Sequence, residues 1–404
     1  MVKSILRRFN SERKYFSALI RDNDLRFFSE YEINKSIYPE NSNFYHIEKC
    51  IHQLKNSFLS TDKKGFASKY DFVTGKFGPL YPEVTGYIIN TLYALKDLQG
   101  GKFFEEWMDE AIISSVNSLK NCQLSDGSFT GGHKDMINYG NPSIFNTGQI
   151  LLGLTEHFIK SQSSELESII EKGVTFLNDN ATENGYNPNY CYNSRFAPYY
   201  SRATYGHISA GIAINNQEAK IKSKNVIDYI LKNQTEVGDI KGWGFANNWY
   251  VLHTVIYTLR GIYEVGSILD EKKYIEASYK GMTFLENTAN RIVIDDAPIS
   301  NGDLFEGSKI KEICFTGLGQ QAILANKLIK KGYHLNEDFH IKNPMRILKQ
   351  HQIVGCDNKD IEGSLPGCKP LNGKYQPLSA PIWGIKFYLD ALIYEVDNQI
   401  DIKG

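Results

Sequence analysis

One unit recurs six times along the 404 residues, and it constrains the fold more than any other feature. An amphipathic segment comes first. A loop rich in Gly, Asn, Asp and aromatic residues follows. A small residue, often within Thr-Gly, then opens a more apolar helix. The apolar heads are TGYIINTLYAL from Thr85, TGQILLGL from Thr147, YGHISAGIAI from Tyr205, LHTVIYTLRGI from Leu252, TGLGQQAILA from Thr316 and WGIKFYLDALI from Trp383. Their amphipathic partners are IEKCIHQLKNSFL, IISSVNSLKNCQL, IIEKGVTFLNDN, NVIDYILKNQ, YIEASYKGMTFLEN and PMRILKQHQ. Each partner carries apolar residues at helical spacing. Turn chemistry such as SDGS, ENGYNPN or GCDNKDIEGS follows it. The period is uneven, roughly 45–65 residues, as for helix pairs joined by variable loops.

Six hairpins of one polar-backed and one apolar helix predict an all-α (α/α)6 toroid over residues 46–404. A helix apolar nearly all round must be covered on both sides, and an inner ring meets that need. An open solenoid of the same hairpins is the alternative, and its concave helices would show more charge. No stretch reads as a strand long enough for an α/β sheet. Residues 1–45 are expected to form a helical extension that covers the outer ring.

Composition narrows the function. A formal net charge of −1 argues against a general nucleic-acid binder, which carries a basic face. The aromatic share of 13% reads either as core packing or as a cleft paved with rings. Six cysteines, none in a CxxC pair, read as reduced thiols. The start, MVKSILRRFNSERKYFSALI, lacks the apolar core and cleavage site of a signal peptide. No apolar run reaches the roughly 18–20 residues of a membrane span. The expected location is the cytoplasm. The start also has a basic, amphipathic look (Leu6 and Phe9 against Lys3, Arg7 and Arg8). That allows peripheral membrane contact, although an ordinary docking helix is the plainer reading. No cofactor and no metal are expected, and oligomeric state is left open.

In such a toroid every long loop runs from an outer helix to the next inner one. All six loops then gather around the inner-helix N-termini, which offer free N–H groups and partial positive charge. The pocket is expected there. Repeat one brings Tyr81, Glu83 and Tyr87, and repeat two Asp126, His133, Asn146 and Gln149. Repeat three brings Tyr199, Tyr200, Arg202, Tyr205 and His207, and repeat four Trp243, Asn247, Asn248, Trp249 and His253. Repeat five brings Asp295, Asp296, Asp303, Glu306 and Gln320, and repeat six Glu362, Tyr375 and Trp383. Rings beside amides and carboxylates suit a saccharide. Aromatic faces stack on sugar C–H faces while amides and acids bond the hydroxyls.

Each residue has a structural alternative. Glu83 also fits a helix-start carboxylate, favoured by about 0.3–1 kcal/mol through the dipole. The Tyr-Arg-Tyr-x-His cluster also fits a hydrogen-bonded plug, Trp243 and Trp249 fit core rings, and His253 fits a satisfied core histidine. Three chemistries compete. Glycoside hydrolysis needs two carboxylates, drawn from Glu83, Asp126, Asp303, Glu306 and Glu362. A uronate lyase or epimerase needs a base, Tyr205 or His207, with Arg202 and Asn146 as stabilisers. Terpene chemistry needs a strong acid in an aromatic pocket or a metal–diphosphate site.

The repeats resemble the α-α toroids of terpenoid cyclases and protein prenyltransferases. LKNQTEVGDIKGWGF and LKNCQLSDGSF are similar to degenerate versions of the Q…G-x-W repeat of squalene cyclases. GPLYPEVTGYIINTL resembles bacterial VpsJ-like proteins of exopolysaccharide and capsule biosynthesis. The first likeness implies the fold and the second a polysaccharide context. The cyclase acid motif Asp-x-Asp-Asp departs here, with Val293 before the pair Asp295-Asp296. The Asp, Cys and His of a prenyltransferase zinc site have no full counterpart beside Cys314, and the cysteine and histidine pattern of lanthionine cyclases is absent.

The expectation is a protein acting on a saccharide in surface polysaccharide biosynthesis or modification, as a metal-independent lyase, epimerase or hydrolase. Glu83, Tyr205, His207, Arg202 and Asp303 are the catalytic candidates, with Arg202 holding an anionic sugar. Tyr81, Tyr87, Asn146, Gln149, Tyr199, Tyr200, Trp243, Asn247, Asn248, Trp249 and Trp383 are the substrate-binding candidates. A terpenoid cyclase or prenyltransferase and a non-catalytic saccharide-binding subunit of an assembly complex are the alternatives.

Overall fold

A computed structural model describes residues 10, 12–14, 16, 17, 41–245, 250–289, 293, 294, 297, 298, 301, 302, 312–400, 402 and 404. Most of the expected extension over 1–45 therefore lies outside the described residues. Among the described residues the fold rests on twelve α-helices. They are α1 (Asn43–Leu59), α2 (Pro82–Asp97), α3 (Trp107–Lys120), α4 (Ile144–Ser161), α5 (Ser164–Asn180), α6 (Ser201–Ala213), α7 (Gln217–Leu231), α8 (Leu252–Leu269), α9 (Lys272–Ala289), α10 (Phe315–Lys330), α11 (Asn343–His351) and α12 (Ile382–Val396).

The even-numbered helices pack side by side in chain order, and α12 returns to α2 to close the ring. Each even helix also packs on the odd helix that follows it, and α12 packs on α1. The result is the (α/α)6 toroid that the repeat implies. Hydropathy explains the sorting. Helix α8 is buried without a break from Leu252 to Gly266, as a helix covered on two sides must be. Helix α7 buries only Ala219, Ser223, Val226, Ile227 and Ile230, a single stripe at helical spacing.

The Thr-Gly heads have two separate jobs. A Cβ on Gly86 would stand 2.7 Å from the Ile150 Cα, so only glycine lets α2 and α4 lie this close. The threonine ties the preceding loop to the inner helix. Thr85 Oγ1 accepts from the Phe66 N–H at 3.0 Å, and Thr147 Oγ1 from the Phe129 N–H at 2.9 Å.

The long loops contain strands of two or three residues, too short to build a sheet core. Lys69–Asp71 pairs antiparallel with both Lys76–Phe77 and Ser379–Pro381, with Tyr70 opposite Phe77 and Ala380. That ladder ties the first long loop to the last.

The Gln…Gly repeat is a staple in the outer ring. Gln123 Nε2 donates to Gly127 O at 3.0 Å and to Ile169 O of α5 at 2.8 Å. Gln234 Nε2 donates to Gly238 O at 3.1 Å and to Ala277 O of α9 at 2.9 Å. Gln352 Nε2 donates to Gly363 O at 3.0 Å. The three glycines have φ of +86°, +112° and +84°, and an added Cβ would run into the carbonyl of Lys172, Lys280 or Lys49. Only glycine takes that backbone at little cost beside another chain. The Lys49 contact places the last loop against α1 and closes the outer ring. Among the described residues, no helix is long and apolar enough to cross a membrane.

Candidate active site

The inner-helix N-termini share one end of the toroid with the described parts of the loops before them, which pair across repeats at Lys69–Asp71 with Ser379–Pro381 and at Ile313–Cys314 with Cys368–Lys369. At this mouth the chain enters α2 through Tyr81, in extended conformation, and Pro82 at the first helical position. Pro suits that position because its missing N–H would have had no helical partner. Glu83 stands in the first turn. The Tyr81 hydroxyl donates to Glu83 Oε2 at 2.7 Å. The Tyr81 ring meets His133 edge-on at 5.5 Å and Trp383 at 6.2 Å. Trp383 Nε1 donates to the Tyr375 hydroxyl at 2.9 Å.

Glu83 is 8% exposed. Loss of hydration pushes its carboxyl up to about 7, and the Tyr81 hydrogen bond pulls only partly back. A helix start favours the carboxylate by about 0.3–1 kcal/mol. Burial outweighs that dipole, and the side chain is a half-protonated acid near neutrality. Burial also lowers His133, the nearby Asp135 opposing it in part, so its imidazole is neutral at pH 7.

Buried rings pack together below the mouth. Tyr87 and Tyr257 each lie 5.7 Å from Phe387, and His253 lies 4.2 Å from Tyr257. His253 Nδ1 and Gln320 Oε1 are 3.1 Å apart. Burial lowers this histidine to about 3, so it is a neutral hydrogen-bonding group.

The floor is charged. The Arg202 guanidinium lies 5.3 Å from the ring centroids of both Tyr205 and Tyr257. It is fully buried, and none of its three nitrogens has a hydrogen-bond partner among the described residues. Arg260 Nε lies 3.4 Å from Glu264 Oε1, which also takes Lys327 Nζ at 2.6 Å. Lys386 Nζ lies 2.7 Å from Asp390 Oδ2, and Thr91 donates to Asp390 Oδ1 at 2.7 Å. Burial lowers Lys386 to about 7 in spite of that carboxylate.

The structure sorts the sequence candidates. Tyr81, Glu83, Asn146 and Trp383 meet at the mouth, joined by His133 and Tyr375. Tyr87 is buried among the rings below, and Arg202 and Tyr205 are buried in the charged layer. Gln149 is buried one turn below Asn146, with both amide atoms lacking a hydrogen-bond partner among the described residues.

Other candidates are placed elsewhere. His207 is held between the Tyr186 hydroxyl at 3.2 Å and Asn178 Oδ1 of outer helix α5 at 2.8 Å, and burial lowers it to about 3. It joins the two rings and does not reach Glu83's group. Trp243 is fully buried against Phe284 of α9, so its faces are closed to a sugar. Tyr200 accepts the Tyr192 N–H at 2.6 Å and packs on Tyr199 and Phe145, bracing its loop. Asp126 is exposed and accepts from Ser128 N–H in its own turn, and Glu362 pairs with Lys49. Asn247, Asn248, Trp249, Asp295, Asp296, Asp303 and Glu306 lie outside the described residues.

Sequence reading passed over Tyr257, Arg260, Lys386 and Phe387. Their signal was present as charges four apart inside greasy helices, Arg260 with Glu264 and Lys386 with Asp390. Such pairs share a helix face. Among the described residues, no three His, Cys, Asp or Glu converge as metal ligands would.

Toroids with this architecture are found among unsaturated glucuronyl hydrolases. One, specific for heparin, matches with a TM-score of 0.65 at 14% identity, over 89% of this chain and 98% of its own. The glycosaminoglycan-degrading enzyme of Bacillus sp. GL1 matches at 0.66 and 11% identity, over 88% and 97%. The Streptococcus agalactiae enzyme matches at 0.65 and 14% identity, over 93% and 96%. At such identities the likeness is one of fold. No protein-family model matches the sequence, and a search of curated proteins finds no match.

Proposed function

We propose that this toroid is a saccharide hydrolase whose general acid is Glu83. The observation that carries the reading is a buried carboxyl at about 7, hydrogen-bonded to Tyr81 beside His133 and Trp383 at the mouth of the toroid. A general acid works best when its pKa lies near the operating pH. Glu83 would protonate the leaving glycosidic oxygen. Tyr81 holds the carboxyl in place. The neutral His133 imidazole would accept a proton from the attacking water, and Trp383 and Tyr81 offer faces for the sugar ring. The similar toroids act as unsaturated glucuronyl hydrolases, which supports an acid-bearing sugar as substrate.

The mixture of an acid, an imidazole and amides at the mouth favours a sugar over a terpenoid, whose cyclisation needs an apolar aromatic lining. Action in the cytoplasm on a surface polysaccharide or its precursor belongs to the same proposal. It is supported by the likeness of GPLYPEVTGYIINTL to VpsJ-like proteins.

The test is incubation of the purified protein with unsaturated glucuronyl disaccharides, read by mass spectrometry. Release of the two monosaccharides, lost in Glu83→Gln, is expected. No cleavage, or equal cleavage by Glu83→Gln, overturns the reading.

A further inference from the structure

We propose that Cys314 and Cys368 are a redox pair, which a peroxide converts to a disulfide that ties the fifth long loop to the sixth. Formation of the bond does not depend on the saccharide reading, although the sixth loop also carries Tyr375 of the proposed site.

The ladder before α10 sets the geometry. Ile313–Cys314 pairs antiparallel with Cys368–Lys369, and the register puts Cys314 directly opposite Cys368. Residues opposite each other in an antiparallel pair carry their side chains on one face, with Cα atoms about 4.5–5.5 Å apart. A disulfide needs Cα atoms about 4.4–6.8 Å apart, so the paired backbone already meets its requirement. Both side chains belong to one small buried cluster with Val251 and Tyr375, set apart from the main core. Both are thiols in this structure, and the Cys368 Sγ–H donates to Pro370 O at 3.3 Å. Cys50 lies in α1, and Cys122, Cys191 and Cys356 lie in loops, so no ladder sets any two of them face to face.

One molecule of hydrogen peroxide balances the step. The thiolate of one cysteine attacks a peroxide oxygen, the O–O bond breaks and hydroxide leaves, giving a sulfenic acid. The sulfur of the second thiol attacks the sulfenic sulfur, forms the S–S bond and displaces the hydroxyl. The protons of the two thiols convert both hydroxides to water. The cysteines lose two electrons, and the peroxide is reduced by two.

The product adds no atoms, so the pair needs no cavity. Cys314 and Cys368 are 0% and 1% exposed, and burial pushes the Cys314 thiol up to about 12. The closed ladder is therefore slow to react. Peroxide gains access when the ladder opens, and a ladder of two residues per strand opens more readily than a core helix. Selectivity then comes from opposition and not from exposure, since the more exposed Cys122 has no cysteine opposite it. The bond would fix the base of the turn that carries Tyr375. Beside the ladder Lys374 N–H donates to Glu312 Oε2 at 2.8 Å, and the Tyr375 hydroxyl accepts from Trp383 Nε1. In a reducing compartment such a bond is transient, as in oxidant-sensing pairs.

The experiment treats the reduced protein with hydrogen peroxide, in native buffer and in urea below the unfolding midpoint. Remaining thiols are blocked with N-ethylmaleimide, and unreduced peptides are mapped by mass spectrometry. A peptide pair linked through Cys314 and Cys368 is expected, with the other four cysteines alkylated, and dithiothreitol should restore all six thiols. The linked protein should melt several degrees higher, because closing a long loop removes entropy from the unfolded chain. Cys314→Ala and Cys368→Ala should each give no link and no peroxide-dependent rise. Should either variant fail to fold, the wild-type peptide map decides alone.

Alkylation of both thiols in both conditions overturns the inference. So does a dominant link between any other two cysteines, or oxidation of Cys314 or Cys368 to sulfinic acid in place of the link. A link that leaves the melting temperature unchanged would mean that the bond strains the ladder, and overturns the fit argued from its register. Failure of the hydrolase reading would leave each of these results as it stands.

Discussion

The mouth of the toroid and the charged layer buried beneath it, its floor, hold ionisable groups in opposite ways. At the mouth a single carboxyl, Glu83, answers burial by holding its proton, with a pKa near 7. At the floor, Arg260 and Lys327 are paired to Glu264, and Lys386 to Asp390, while Arg202 has no hydrogen-bond partner among the described residues. The same loss of hydration therefore yields a proton donor at one end and an electrostatic demand at the other. A carboxylic acid can discharge itself by taking up a proton at neutral pH. An arginine cannot, because its free pKa lies too far above neutrality.

The largest expected effect tests the mouth. Glu83→Gln keeps the shape and removes the acid, so turnover should fall by about 10²–10⁴-fold, the usual worth of a general acid. The same change should stabilise the fold in alkali. Folding raises this carboxyl from 4.5 to about 7, so the folded state prefers its neutral form. Stability from this group is full below about pH 4.5 and is lost as pH rises toward 7. The loss amounts to roughly 3 kcal/mol at 1.36 kcal/mol per pKa unit. Chemical denaturation at pH 8 should show the variant as the more stable protein.

Next comes the floor. Glu264→Gln leaves Arg260 and Lys327 without their shared carboxylate. Breaking a buried pair costs about 3–5 kcal/mol, and urea unfolding should show it. Equal stability of variant and wild type would mean that the floor is wetter than its burial indicates, and the contrast with the mouth would fail.

A smaller effect appears in acid. His207 and His253 fall from 6.5 to about 3 on folding. The unfolded chain therefore binds more protons below pH 6.5. Stability is full above that pH and falls toward pH 3, by about 1.4 kcal/mol per unit per histidine. Glu83 opposes this slope over the same range, so urea midpoints between pH 7 and 5 are compared in Glu83→Gln, where they should fall with pH, and adding His253→Gln should make the fall shallower.

The finest test is Tyr81→Phe. The hydroxyl stabilises the Glu83 carboxylate, so its loss should raise the carboxyl further. The alkaline limb of the rate profile should move up by under about one unit, with kcat little changed. A limb that stays in place would take the role of acid away from Glu83.

Much of this molecule was legible before folding. Helical periodicity marked both rings, and the Gln…Gly spacing marked the staples at Gln123 and Gln234. Loop placement led to Glu83, because the long loops must gather where inner helices begin. The sequence reading went astray on direction. His207 and Trp243 belong to the stretches that looked richest, yet both are packed against outer helices. Helix α6 is buried on almost every face from Ser201 to Gly211, so hydropathy contrast offers no way to tell its lumen side from its outer side. The charges within α8 and α12 were equally hard to weigh, since a charge four residues from its opposite reads as a surface pair until burial is known.

The sequence by itself determined the repeat, the ring count, the end that carries the loops and the acid at the head of the first inner helix. Those follow from local periodicity and turn chemistry, which neighbours along the chain carry. Tertiary structure alone decided which buried polar groups meet. It placed Tyr81 on Glu83, turned His207 outward, and set Arg202 against two tyrosines with no hydrogen-bond partner among the described residues. Desolvation depends on what closes in from other repeats, and ring closure between α12 and α2 sets it, so no window of sequence contains it.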